Sequence, residues 1–79
     1  MLLDKAVPIR TRRGTEVVVT AEQAARVLLQ WPGKADTAKQ RAARAAVLKA
    51  LQSAHGHRDK VKAREALEEA AKESGVRDG

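Results

Sequence analysis

The stretch TAEQAARVLLQWP, residues 20–32, decides the fold. Thr20 and Gln23 have the spacing of a capping box, in which a threonine hydroxyl accepts the backbone N–H three residues further on. Pro32 has no backbone N–H and disfavours helical geometry in the residue before it, so it ends the helix. The stretch therefore predicts a capped helix over residues 21–31.

One face of this predicted helix is apolar. Ala24, Leu28 and Trp31 recur at i, i+4 and i+7, which places them along one side of a helix. Trp31 is the only aromatic residue of the chain, and a side chain of that size dominates a small core. We expect Trp31 to pack in the core; a stacking platform for a ligand is the alternative.

A β-hairpin is predicted ahead of the helix, over residues 6–19. Val7 and Ile9 alternate with other residues, as in a strand with one buried face. Pro8 cannot donate to a strand partner, which favours an edge strand or an outward-facing Pro8. Gly14 suits the turn because glycine adopts positive φ without steric cost.

The return strand contains three consecutive valines. We expect Val17 and Val19 to face the core and Val18 to face outward beside Glu16, because neighbouring side chains of a strand point to opposite faces. An exposed Val18 beside Glu16 would suit a surface that a partner covers.

Two further helices are predicted, over residues 38–54 and 60–74. Gly56 is a suitable left-handed residue for ending the first of them, and Asp59 is a suitable N-cap for the second. The large apolar residues of the middle helix are Val47, Leu48 and Leu51. The remaining apolar positions are mostly alanines, which indicates close approach to a neighbouring helix.

The C-terminus carries a helix-ending signal. Gly75 is placed to end the last helix in a left-handed conformation, and Val76 is placed to fold back onto it. We expect residues 77–79 to be frayed. The predicted fold class is α+β, one domain over residues 1–79, with a two-stranded antiparallel hairpin packed on three helices in the order ββααα.

Length and composition restrict the possible functions. The chain has 79 residues and no cysteine, which excludes disulfides, cysteine-type zinc sites and thiol catalysis. No apolar run approaches the roughly 20 residues of a membrane span, and the first residues, which include Asp4, do not form a signal peptide. We therefore expect a cytoplasmic protein without a membrane partner.

The chain is strongly basic, with 16 lysines and arginines against 10 acidic residues and a net charge of +6. Such charge can bind nucleic-acid phosphates without reading sequence. The candidate phosphate contacts are Arg41, Arg44, Lys49, Arg58, Lys60 and Lys62. A solvated basic surface is the alternative, because a single aromatic residue does not make a base-stacking platform.

Other reactive groups are few. His55 and His57 lie close together, but a metal site needs three or four ligands and Asp59 is the only carboxylate nearby. The row Glu65, Glu69 and Glu73 follows helical spacing and is typical of a solvated helix face. The two serines have no nucleophile motif. We therefore expect no catalytic, cofactor or metal site, no enzyme activity and no small-molecule substrate.

The order of these elements resembles a family of short bacterial proteins with a domain of unknown function. The matching residues are Val7-Pro8-Ile9, Gly14, Val17 to Val19, Ala24-Ala25, Leu28-Leu29, Trp31-Pro32 and the segment from Ala63 to Gly75. The resemblance covers residues 6–76. It implies a hairpin, a helix ending in Trp-Pro and two more helices, and it implies no activity.

Two functional hypotheses follow. The first is a small non-enzymatic cytoplasmic module that binds another protein or itself, through Val18 with Glu16 or through the acidic row and the basic middle helix. The second is an accessory protein that binds nucleic acid through the six basic residues named above.

Overall fold

A computed structural model describes residues 2–31, 37–52 and 56–78 of the protein. Two strands and three helices follow one another as β1 (Leu2–Thr11), β2 (Gly14–Thr20), α1 (Ala21–Leu29), α2 (Ala38–Gln52) and α3 (His57–Ser74). The two strands pair antiparallel, and the order ββααα confirms the predicted α+β fold.

The hairpin is longer than predicted, because β1 begins at Leu2. Val7 lies opposite Val18, and the register shifts between Leu2 and Val7. At the other end Thr11 pairs with Gly14, and the Thr11 hydroxyl donates to the Gly14 carbonyl at 2.7 Å. Gly14 has φ +110°, which confirms the positive φ expected at the turn.

The predicted orientation of the three valines was wrong. Val18 is completely buried, whereas Val17 and Val19 are 51% and 40% exposed. Val18 lies directly opposite Val7, and residues that oppose each other in an antiparallel pair share one face of the sheet. Because Val7 faces the helices, Val18 faces them as well.

Helix α1 starts at the predicted cap and stops earlier than predicted. The Thr20 hydroxyl accepts the Gln23 N–H at 3.0 Å, which confirms the cap. The helix ends at Leu29, two residues before Trp31. The proline after Trp31 restricts that residue to extended conformations, so the helix has to end before it.

Trp31 packs at the edge of the core. Its side chain is partly buried against the core residues, and the indole Nε1–H donates to the Ser74 hydroxyl at 3.1 Å. The expected packing role is therefore confirmed, although the ring occupies the boundary between α1 and the end of α3 and not the centre of the core.

The core lies between the inner face of the hairpin and the three helices, and alanine makes up nearly half of it. Its buried hydrophobic residues are Leu3, Val7, Ile9, Val18, Ala21, Ala24, Val27, Leu28, Ala43, Val47, Ala50, Ala63, Leu67, Ala70 and Ala71. The alanines on α2 and α3 have small side chains, and these two helices pack most extensively against each other.

The start of the last helix differs from the prediction. Helix α3 begins at His57, with Gly56 at its N-cap at φ −92°. Gly56 is therefore not the left-handed residue expected after α2, and Asp59 lies in the first turn of α3 and not at its cap. A negative carboxylate in the first turn still interacts favourably with the positive end of the helix dipole, so Asp59 stabilises a helix that begins at His57. The predicted end of α2 at Ala54 lies outside the described residues.

The glycine signal at the C-terminus is confirmed. Gly75 has φ +71° and its N–H donates to the Lys72 carbonyl at 3.1 Å. The Val76 N–H donates to the Ala71 carbonyl at 2.9 Å, and the Val76 side chain packs against the core. This is the double hydrogen bond of a Schellman cap with its apolar contact.

The prediction that residues 77–79 are frayed was wrong for Arg77 and Asp78, and Gly79 lies outside the described residues. The Arg10 N–H donates to the Val76 carbonyl at 2.7 Å, and the Asp78 N–H donates to the Pro8 carbonyl at 3.0 Å. Between them Arg77 forms an antiparallel bridge with β1. Backbone groups on the outer edge of β1 need partners, and the chain end supplies them.

Candidate protein-binding groove

An apolar groove of about 240 Å³ runs between α1 and α2. It is lined by Ala25, Leu28, Leu29, Val47, Leu48, Leu51 and Arg44. All of these except Arg44 are apolar, so the groove is a hydrophobic depression with one cation among its lining residues.

Two leucines of the groove are exposed to solvent. Leu29 on α1 is 79% exposed and Leu48 on α2 is 56% exposed. Their neighbours Leu28 and Val47 are buried, and neighbouring residues of a helix point about 100° apart, so in each pair one leucine or valine faces the core and the other leucine faces solvent. Leu48 is one of the three large apolar residues of the middle helix, but it does not lie on the buried face of α2.

The groove has a basic end. Gln40, which is 2% exposed, donates from Nε2 to the Leu28 carbonyl at 3.3 Å, so the end of α1 lies beside the start of α2. Arg41 and Arg44 lie in the N-terminal half of α2, near this end. Spacing of i, i+3 and i+7 places Arg41, Arg44 and Leu48 along one ridge of α2.

Positive charge continues beyond the groove. A wider open cleft of about 1010 Å³ shares Leu28, Leu29 and Arg44 with it. The cleft extends to the hairpin turn and is also lined by Arg12, Arg13, Glu16 and Arg26. The surface beyond this end of the groove is therefore predominantly basic.

The structure distributes the six predicted phosphate contacts over two helices. Arg41, Arg44 and Lys49 are exposed on α2; Arg58, Lys60 and Lys62 lie in the first turns of α3, where Lys60 is partly buried. Arg41 and Arg44 share a ridge, whereas Lys49 lies on a neighbouring flank of α2 by helical geometry. Sequence reasoning missed the apolar groove beside that ridge, although the adjacent pairs Leu28-Leu29 and Val47-Leu48 were its signal.

The hairpin has further exposed apolar side chains, which are Val17 and Val19 on its outer face and Leu2 at the start of β1. The adjoining edge of β2 is covered by one side chain. Gln23 Nε2 donates to the Val17 carbonyl and the Val19 N–H donates to Gln23 Oε1, both at 2.9 Å. The amide of Gln23 therefore occupies the place that a peptide group of a neighbouring strand would take.

The partner surface expected at Val18 and Glu16 is not present. Val18 is buried, as described above, and Glu16 accepts a hydrogen bond from Gln23 Nε2 at 2.9 Å. Glu16 also forms an ion pair with Arg26. These contacts hold β2 against α1.

A partly buried ion cluster joins β1 to α3. Arg64 donates from Nε and Nη2 to the two carboxylate oxygens of Asp4, at 3.2 and 3.1 Å, and from Nη1 to Glu68 at 3.1 Å. Arg77 Nε lies 3.6 Å from the other oxygen of Glu68. The hydrogen bond from Arg64 holds the pKa of Asp4 below its ordinary value of 3.8, and the same contact raises the pKa of Arg64. Because arginine compensates both carboxylates, the cluster acts as a structural clamp.

The acidic row is exposed on α3, and part of it is engaged. Glu65, Glu69 and Glu73 face solvent, and Glu69 lies 3.4 Å from Lys39 Nζ on α2. Glu68, adjacent to the row, belongs to the ion cluster. Within the described ranges, no three histidine, cysteine or carboxylate side chains gather as a possible metal site. His57 is exposed at the start of α3, and His55 lies outside the described residues.

In the part of the chain that the structure describes, no helix has both the length and the apolar character needed to cross a membrane. Comparison with curated proteins finds no match, and comparison with solved structures finds none either. One family does match, over residues 5–77, and the hairpin followed by three helices that the resemblance implied is found in this chain. The chain belongs to DUF982, a family of proteins of unknown function.

Proposed function

We propose that this protein is a small non-enzymatic, cytoplasmic interaction module that binds a partner protein through the groove between α1 and α2. The observation that carries the proposal is the exposure of Leu29 and Leu48 on either side of an apolar depression. Exposed apolar surface with a concave shape and a polar rim is typical of protein-binding sites.

The reactive side chains support a binding role over a catalytic one. Asp4 and Glu68 are paired with arginine, and the Ser74 hydroxyl accepts the indole N–H of Trp31. The contacts of Asp4 and Ser74 join separate segments of the fold, and Glu68 pairs with Arg64 within α3 and with Arg77 beyond its end, so each group has a structural task.

The occupant that we propose is a different protein and not a second copy of this chain. Helix α2 carries Arg41 and Arg44 on the ridge of Leu48 and has no acidic residue. Two copies packed groove to groove would bring these arginines close to their counterparts, which is unfavourable between like charges.

The test uses a photo-reactive residue at Leu48 in the native cell, with a second version at Leu2 on the hairpin as the control site. The protein captured from position 48 is then purified and its binding is measured by calorimetry. We expect Leu48→Glu to weaken binding at least tenfold, as for a central interface residue, and Leu2→Glu to leave it unchanged. Equal binding by wild type and Leu48→Glu would overturn the proposal.

Nucleic-acid binding is the second candidate, favoured by one observation. Among the described residues, Arg41, Lys49, Arg58, Lys60 and Lys62 form no ion pair, so their charge is uncompensated. Titration with duplex DNA and with RNA at increasing salt tests it. Six phosphate contacts give a log–log slope of about −5. Absence of binding at low salt removes this candidate.

A further inference from the structure

We infer that the segment bound between α1 and α2 is an amphipathic helix with acidic residues beside its apolar stripe. This inference rests on the proposed function, since it names the partner of the same groove. Three features of the groove support it: both walls are helices, the part of α2 that lines the groove has a defined length, and the charges around the groove are mostly positive.

The walls of the groove favour a helical occupant. Both walls are helices, whose backbone N–H and C=O groups are satisfied within each helix apart from the ends. The groove therefore offers no strand edge to an extended peptide. An occupant that buries its backbone there has to satisfy its own hydrogen bonds, and a helix does so.

The length of the groove suits two helical turns. Arg44, Leu48 and Leu51 follow one another at i, i+4 and i+7 on α2, which spans about 10 Å at 1.5 Å per residue. A partner helix presents apolar residues at the same spacing over the same length. Leu29 and Leu48 would then lie on either side of its apolar stripe.

The charge around the groove selects an acidic partner. Arg41 and Arg44 continue the ridge of Leu48, and α2 contributes no carboxylate. The cleft beyond Leu29 adds Arg12 and Arg13. Glutamates or aspartates beside the apolar stripe of the partner would approach this end, whereas lysines there would be repelled.

A second copy of the chain does not supply such a helix. Its row of exposed glutamates lies on α3. The large apolar residues exposed in the described part of the chain are Leu2, Val17, Val19, Leu29 and Leu48, and none of them lies on α3. The acidic face of α3 therefore has no exposed large apolar residue to place in the groove.

The experiment uses the full chain and three synthetic helical peptides with identical leucine positions. The residues beside the leucine stripe are glutamate in the first peptide, glutamine in the second and lysine in the third. Binding is followed by amide chemical shifts. We expect the glutamate peptide to shift the signals of Ala25, Leu29 and Leu48 and to bind at least tenfold more tightly than the lysine peptide at low salt. That ratio should fall as salt screens the charges.

A matched pair of variants tests the role of the ridge. Arg41→Glu reverses one charge beside the groove, and Lys62→Glu makes the same change at an exposed site on α3. We expect Arg41→Glu to reduce the preference for the glutamate peptide severalfold and Lys62→Glu to leave it unchanged. An equal effect of the two variants would overturn the inference, because it would show a preference set by net charge alone.

The inference and the proposed function fail differently. If the glutamate and lysine peptides shift the groove signals and bind equally well, the acidic partner is wrong and the docking groove stands. If no peptide shifts those signals while Leu48→Glu still abolishes binding of the captured partner, the helical partner is wrong and the groove again stands. If Leu48→Glu leaves the captured partner bound, the groove itself is wrong.

Discussion

Arg64 holds Asp4 through two parallel hydrogen bonds, 3.2 Å from Nε to Oδ1 and 3.1 Å from Nη2 to Oδ2. The two residues are 60 positions apart in the chain, and their side chains are only 16% and 14% exposed. A bidentate pair with this little solvent exposure is stronger than a surface ion pair. It fixes the first strand to the last helix.

Asp4→Asn should destabilise the protein by about 1.5–3 kcal/mol at neutral pH, the usual contribution of hydrogen bonds to a charged group. The pKa of Asp4 is lowered in the folded state, so its contribution is complete above the ordinary value of 3.8 and is lost as pH falls through the folded pKa. Urea denaturation followed by Trp31 fluorescence should therefore show wild type and variant converging at low pH.

The exposed pair of Arg10 and Asp78 serves as the control for this prediction. Arg10 Nη2 lies 3.8 Å from Asp78 Oδ1, and the two side chains are 64% and 37% exposed. Arg10→Gln should therefore change the free energy of unfolding by less than about 1 kcal/mol. Equal losses of stability in Asp4→Asn and Arg10→Gln would contradict the claim that the Asp4–Arg64 pair contributes more than an exposed ion pair.

The orientation of β2 is tested by two substitutions of the same kind. Val18→Thr places a hydroxyl in the core and should cost about 1–3 kcal/mol. Val17→Thr makes the same change on the exposed face and should stay within about 0.5 kcal/mol. Thermal denaturation of both variants measures their losses of stability. A larger loss of stability for Val17→Thr than for Val18→Thr would reverse the assignment of the two faces.

Gln23→Ala should uncover the edge of β2. The variant loses the hydrogen bonds to Val17 and Val19, so it should be destabilised by about 1–3 kcal/mol although alanine favours helix. Sedimentation velocity should show more self-association than in wild type, because an open strand edge pairs with other chains. Gln52→Ala, at the exposed end of α2, is the control. An unchanged sedimentation profile for Gln23→Ala would show that the edge is protected by other means.

Gly75→Ala should destabilise the protein by about 1–2 kcal/mol, the cost of a left-handed conformation for a residue with a Cβ. Apart from Gly75 itself and its chain neighbours, no atom of the described residues lies within 4 Å of the position that the Cβ would take, so the loss is conformational and not steric. Gly75→Asn should cost less, because asparagine tolerates this conformation better. Chemical denaturation measures both, and equal stability of wild type and Gly75→Ala would show that the chain reaches its C-terminal pairing by another route.

Local signals in the sequence predicted most of the fold. The cap at Thr20 and the positive φ of Gly14 and Gly75 depend on residues within a few positions of each other, and all three are found. The order and the type of the five elements follow from the periodicity of the apolar residues and from these capping and turn residues.

The orientation of β2 did not follow from such signals. Three consecutive valines contain no alternation, so only the pairing of Val18 with Val7 decides which of them is buried. That pairing depends on the register of the whole hairpin, which one strand does not determine.

The candidate groove and the ion cluster depend on contacts between distant segments. Leu29 and Leu48 belong to apolar pairs, and sequence alone does not say which member of each pair turns outward. Asp4 and Arg64 are one acid and one base among many, so the sequence names neither as the partner of the other. A charged residue at the start of an apolar strand was the available signal for Asp4.

The pairing of β1 with residues 76–78 has a consequence for biosynthesis. Arg10 and Pro8 are translated well before their backbone partners at Val76 and Asp78. On the ribosome this side of the first strand therefore lacks its native partners until all three helices have been made. Closure of the sheet on this side follows synthesis of the helices, and the nascent hairpin has an open edge until then.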